Sequence, residues 1–159
     1  RAAAHPNVIF LADSRRRIGQ FRNVLVKPNQ FEAAGLDNPA PDDRVPFDVL
    51  AAALPDFRKK AAAPVLITLG ARGMLVSDPV VTHVPGVKVE GPTDPTGAGD
   101  SATAGTVLSL AAGATLPEAS LVGNLVASIT IEQLGATGTA CPDQLPPRLQ
   151  RWRAAQWPE

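Results

Sequence analysis

The chain has 159 residues, enough for one ordinary domain with its own core and too few for two. Fifteen Lys and Arg balance fifteen Asp and Glu, so no global field draws the chain onto nucleic acid or a membrane surface, and any anion site has to be local. The single cysteine, Cys141, excludes an intrachain disulfide, and no apolar run approaches the roughly 20 residues that span a bilayer.

A reducing, cytoplasmic setting is therefore expected, with neither nucleic acid nor membrane as partner. Residue 1 is Arg rather than Met, and Arg1-Ala2-Ala3-Ala4 lacks the pattern of a secretion signal, so a piece of a longer protein is expected. Residues 7–12 and 22–27 read as buried strands, the first ending in Asp13-Ser14 and the second stopped by Pro28. Asn29 opens a short helix that Gly35 closes. Residues 38–44, rich in Pro and Asp, predict a loop. Residues 47–61 predict a helix with Val49, Leu50, Ala53, Leu54 and Phe57 on one face, split in two by Pro55.

The strongest strand is 64–69, which Gly70-Ala71-Arg72-Gly73 turns as a tight hairpin into a second strand at 74–77. Short strands are expected at 80–84 and 87–89, and a small-residue helix from Gly99 to Ala112. A last clear helix opens at Thr115 with a capping box to Glu118 and closes at Gly135, its predicted core face being Leu121, Val122, Leu125, Val126 and Ile129. The tail from Pro146, with Trp152, Trp157 and three arginines, reads as a surface helix or an interface. Strands alternating with helices predict an α/β fold with a largely parallel sheet covered on both faces, which binds ligands at the carboxyl ends of its strands.

Gly97-Ala98-Gly99-Asp100 runs directly into an apolar helix, so its backbone N–H groups are the unpaired donors of a helix N-terminus and can hold an anion. Asp100 sits in the first turn, where a helix dipole favours a carboxylate, and is a ready proton acceptor. Phosphoryl transfer to an alcohol needs those two things side by side: donors for the transferring oxygens and a base for the hydroxyl. The plainer alternative is a glycine-rich helix cap. Asn29 and Glu32 form an N-terminal capping box by spacing alone. Asp13-Ser14-Arg15-Arg16-Arg17 reads as a solvated surface run, with phosphate recognition by one arginine as the alternative. His5 and His83 stand apart as surface residues, and no Cys or His cluster calls for zinc or iron.

The run Asp94-Pro95-Thr96-Gly97-Ala98-Gly99-Asp100 resembles the signature of ribokinase-type (PfkB) carbohydrate kinases. The resemblance extends from about Asn7 to about Gly138 and implies one partial kinase domain over residues 1–159. The implied fold is a ribokinase-like three-layer sandwich of which only the carboxy-terminal, nucleotide-binding half is present. It implies ATP-dependent phosphorylation of a sugar or sugar-phosphate hydroxyl, with Asp100 as general base and Gly97, Ala98 and Gly99 as the anion hole. Asn29 and Glu32 then correspond to an Asn-x-x-Glu motif that helps place Mg²⁺ and the phosphates, Glu32 acting on the metal indirectly. Thr68, Gly70 and Gly73 form the turn over the triphosphate, and Asn124 lies at a position near the adenine, against the alternative of a helix-surface amide. Asp94 and Thr96 border a monovalent cation site, with K⁺ as the ion. Pro95 stands where many members carry Thr or Val. The stretch 11–33, with Asp-Ser-Arg and Lys-Pro-Asn-x-x-Glu, is most similar to the branch of heptose-7-phosphate kinases. The resemblance also leaves a homodimer open for the intact protein, and a nucleotide-binding module without independent catalysis as the alternative to a working kinase. A dinucleotide-binding dehydrogenase would need Gly-x-Gly-x-x-Gly after the first strand, where Asp13-Ser14-Arg15 stands. A kinase-like remnant acting only as an interaction protein is opposed by the intact Asp100, Asn29 and Glu32.

Overall fold

The computed structural model describes residues 2–5, 7–40 and 43–156, which fall into two compact units. The first comprises Arg1–Leu69 and Leu75–His83, the second Gly70–Met74 and Val84–Glu159.

In the first unit β1 (Leu11–Ala12) pairs in parallel with β2 (Leu25–Val26), Leu11 opposite Leu25 and Ala12 opposite Val26. Parallel bridges at Val26–Val65 and Asn29–Thr68 carry the order on to β3 (Leu66–Thr68). Because these strands are covered on both faces, their side chains are apolar without alternation, and Val26, Val65, Leu66 and Ile67 are all buried. β3, β4 (Met74–Val76) and β5 (Thr82–Val84) are hydrogen-bonded neighbours in that order. The strand expected at 7–12 is shorter: it ladders over two residues, and Val8 and Ile9 are 53% and 37% exposed.

α1 (Gln30–Ala34) starts and stops as its sequence demands, Asn29 capping it and Gly35 closing it at φ 68°. α2 (Phe47–Ala61) is one helix, not the two that Pro55 predicted. Pro55 lies on its exposed side, where the carbonyl it leaves without a partner can take water, while Leu50 and Leu54 are fully buried on the other. Full burial contributes about 1.5–3 kcal/mol for each such leucine, enough to offset most of the helix-breaking cost. The core line is Leu50, Leu54 and Ala61 with Phe57 packed beside it, and Val49, expected to face inward, is exposed. Residues 38–40 and 43–44 form the expected loop, positions 41 and 42 lying outside the described residues.

The second unit is built on α3 (Ala98–Ala111) and α4 (Leu116–Thr130). Their backbones touch at glycine: a Cβ on Gly123 would sit 2.4 Å from Thr106 Oγ1 and 2.8 Å from the Ala102 carbonyl. This close approach selects small residues, so the buried face of α4 is Ala119, Ser120, Gly123, Asn124, Leu125, Ser128 and Ile129. Leu121, Val122 and Val126, expected in the core, are only half-buried, the helix being rotated to present its small side. α4 ends at Thr130 rather than at Gly135, and 87–89 forms no strand. The tail folds as α5 (Leu145–Gln156), docked by Arg148, which is buried and donates to Glu132 through both terminal nitrogens. Trp157 lies outside the described residues.

Candidate active site

In the second unit the run 94–100 enters α3 through Gly97, whose φ of 76° lies in the left-handed region and whose position is held by Thr137: a Cβ there would be 3.1 Å from Thr137 Cβ and 3.2 Å from its carbonyl. Both features favour glycine here. No side chain of the cap residue closes this helix. The first turn is shaped by Ala98 N–H donating to Pro95 O (3.0 Å) and Ser101 N–H donating to Gly97 O (2.9 Å). Asp100, in that first turn, is exposed.

Asp94 fixes the loop that precedes the helix. Its N–H donates to Ile131 O at 2.8 Å, Oδ1 accepts from Thr96 N–H at 2.9 Å and Oδ2 accepts from Gly135 N–H at 3.1 Å. The Thr96 hydroxyl, then the Thr96 and Gly135 backbone N–H groups, hold its carboxyl below the usual aspartate range against a small opposing effect of desolvation. The structure thus joins Asp94 and Thr96 to Gly135, and Gly97 to Thr137, at the helix start that Asp100 follows. The sequence reading missed these last two as parts of the site, although Gly135 stood out as a helix stop; the signal lost was that a glycine past a helix can serve a distant carboxylate.

The tight turn expected at Gly70–Gly73 joins the neighbouring strands β3 and β4 as a single 3₁₀ turn, with φ of 63° and 91° at its glycines and Gly73 N–H donating to Gly70 O at 3.0 Å. It interlocks with the backbone after β5: a Cβ on Gly73 would fall 2.2 Å from Val84 O, and one on Gly86 2.3 Å from Ala71 O. Asn124 is buried rather than on a helix surface, and its Nδ2 donates to Val84 O and Pro85 O, each at 3.1 Å. Its amide hydrogens thereby hold this same backbone.

In the first unit Asn29, Glu32 and Thr68 meet at the carboxyl ends of neighbouring parallel strands. Both halves of the capping box form: Asn29 Oδ1 accepts from Phe31 and Glu32 N–H at 2.9 Å, and Glu32 Oε2 accepts from Asn29 N–H at 2.8 Å. Glu32 Oε1 takes no part in the box. Beside them Lys27 is 5% exposed and pairs with Asp13 at 2.7 Å, a cross-strand pair that follows from the 14-residue offset between β1 and β2, since 25 − 11 = 27 − 13. Arg15, Arg16 and Arg17 are exposed, as are His5 and His83.

Residues 22–143, more than half of the chain, match the profile of the pfkB family carbohydrate kinases. The chain belongs to this family. It is 30% identical over 147 residues to the bifunctional protein HldE of Stutzerimonas stutzeri, a match covering 90% of the chain and 30% of that relative. The ribokinase of Thermotoga maritima superposes with a TM-score of 0.73 at 23% identity, over 94% of this pfkB-family chain and 51% of the other. The Arabidopsis thaliana ribokinase complexed with ribose and ATP superposes with a TM-score of 0.66 at 21% identity, over 79% of this chain and 40% of that one. The fold is therefore ribokinase-like, and the chain spans about half of the solved ribokinase and less than a third of the curated relative.

Proposed function

We propose that the chain carries the nucleotide-binding and catalytic part of an ATP-dependent kinase acting on a hydroxyl of a sugar or sugar phosphate, of the heptose-7-phosphate kinase type. The observation that carries this reading is the start of α3: a glycine cap without a closing side chain, followed one turn on by an exposed carboxylate. Asp100 accepts the proton of the acceptor hydroxyl as its oxygen bonds the γ-phosphorus and the bond to ADP breaks. The backbone of Gly97, Ala98 and Gly99 forms the anion hole, Gly97 and Gly99 N–H receiving the charge on the transferring oxygens while Ala98 N–H, donated to Pro95 O, shapes the turn. Binding of ribose and ATP by the plant ribokinase supports the same ligand classes here.

The residues fit the ions such chemistry uses. Glu32 has a carboxylate oxygen outside the capping box, and the Asp94 carboxyl, held ionised by its hydrogen bonds, stands beside Thr96. Asn29 and Glu32 would hold Mg²⁺ through water, and Asp94 and Thr96 would border K⁺; when bound, the cations offset phosphate charge. Thr68, Gly70 and Gly73 would line the triphosphate with backbone. Asn124 would act near the adenine through the Val84–Pro85 backbone that it holds.

A second reading is favoured by the chain's span of about half of the solved ribokinase: a nucleotide-binding module that turns over only with the rest of the fold supplied. Both are tested by following transfer from ATP to a panel of sugars and sugar phosphates including heptose 7-phosphate, with and without that remainder. Transfer only with the remainder supports the second reading. Magnesium nucleotide bound but no sugar of any class phosphorylated in either arm contradicts the kinase reading.

A further inference from the structure

The helix α5 has no counterpart in the motifs that point to a kinase, yet it reaches back to the glycine turn. Trp152 Nε1 donates to Pro85 O at 2.9 Å, the same carbonyl that accepts from Asn124. The backbone of Val84, Pro85 and Gly86 together leaves no space for a methyl group on Gly73. Any shift of 84–86 therefore displaces 71–73, because the two backbones are in contact without intervening side chains. α5 is itself anchored: Arg148, 8% exposed, donates to Glu132 and, at 3.4 Å, to Ser128 O on α4. A neutral hydrogen bond from a half-buried indole makes a modest contribution, and here it fixes the place where that carbonyl sits.

We infer that Trp152 is a positioning residue for the Gly70–Gly73 turn, acting through Pro85, and that α5 is the strut that carries it. Resting on the kinase reading, the turn so held is the one that would line the nucleotide's phosphates; the mechanical coupling itself does not depend on that reading. Loss of the indole N–H would loosen 71–73 while leaving the α3–α4 packing intact, since that packing is made by Gly105, Thr106, Gly123 and their neighbours.

The test is amide hydrogen exchange on the 159-residue chain and its Trp152→Phe variant, which keeps an aromatic ring while removing the donor together with part of the indole. The Gly73 amide is expected to exchange about fivefold faster, the factor that one lost neutral hydrogen bond typically carries. Leu125 and Ile129 in α4 are expected to exchange as in the parent. Arg148→Met, which frees α5 from α4, is expected to give the same selective change even if Trp152→Phe folds poorly. Gly73 exchanging at the parental rate in both variants, or Gly73 and α4 accelerating by one common factor, would overturn the inference. Because no nucleotide is present, these results stand apart from the kinase reading, which a separate titration with magnesium ATP addresses: weaker binding in Trp152→Phe supports the link to the phosphates, and unchanged binding limits Trp152 to the turn.

Discussion

α1 and α3 begin in opposite ways. At α1 the chain closes its own helix: Asn29 and Glu32 exchange three hydrogen bonds with backbone N–H groups, and α4 repeats the device with Thr115 and Glu118. At α3 the cap is a glycine in a left-handed conformation, wedged against Thr137 and without a side chain to offer. An ordinary helix start gains about 1 kcal/mol from a side-chain cap. α2, whose cap position is Pro46, also lacks a side-chain cap, but at the start that carries the exposed Asp100 the open terminus suits an anion site, since a capping oxygen would occupy donors that a phosphate needs.

The comparison is broken most severely at Gly97. Gly97→Val combines a left-handed φ with a contact near 3.1 Å to Thr137, and is expected to lower the melting temperature by several degrees and to reduce magnesium nucleotide binding at least tenfold. Calorimetric titration checks the second effect, and retained affinity in a folded variant would remove the open terminus from the site. Next comes Asn29→Ala, expected to cost about 1 kcal/mol in urea unfolding by loss of the cap. Glu32→Gln sharpens the contrast, because Gln also serves in a capping box. Stability should change by a few tenths of a kcal/mol at most, while the Mg²⁺ requirement of the assembled kinase rises; an unchanged Mg²⁺ dependence returns Glu32 to capping alone.

The smallest expected effect is on pH dependence. The Thr115 hydroxyl, then its N–H, hold the Glu118 carboxyl below the usual glutamate range. A folded-state pKa below the unfolded value of about 4.3 means that this contribution is present above that pH and is lost as pH falls through the folded value. Glu118→Gln should therefore flatten the fall in urea midpoint between about pH 5 and pH 3. A profile identical to the parent would mean that the pair contributes nothing to folding.

Local chemistry was legible in the sequence. Asn29 with Glu32, Thr115 with Glu118, and Gly35 as helix stop each act within a few residues, so spacing alone specifies them. What was illegible depends on partners far along the chain. The small face of α4 is chosen by Ala102, Gly105 and Thr106 on α3, whereas hydrophobic spacing favoured Leu121 and Val122. Pro55 remains inside α2 because leucines on the opposite face hold the helix, a tertiary effect that overrides local propensity. In the site, the glycine run and Asp100 were readable, but the Asp94–Gly135 clamp spans 41 residues and the Asn124 contact with Val84 spans 40, distances over which one sequence carries no pairing signal.

The central claim is that Asp100 is the base at an open helix start. Asp100→Asn keeps the shape and the backbone donors while removing the proton acceptor, so the deciding measurement is phosphate transfer together with magnesium nucleotide affinity, made with the rest of the ribokinase-like fold supplied. The account predicts unchanged nucleotide affinity and transfer reduced by roughly 10² or more. Near-normal sugar phosphorylation by Asp100→Asn would contradict it, because the proton would then be leaving through another residue.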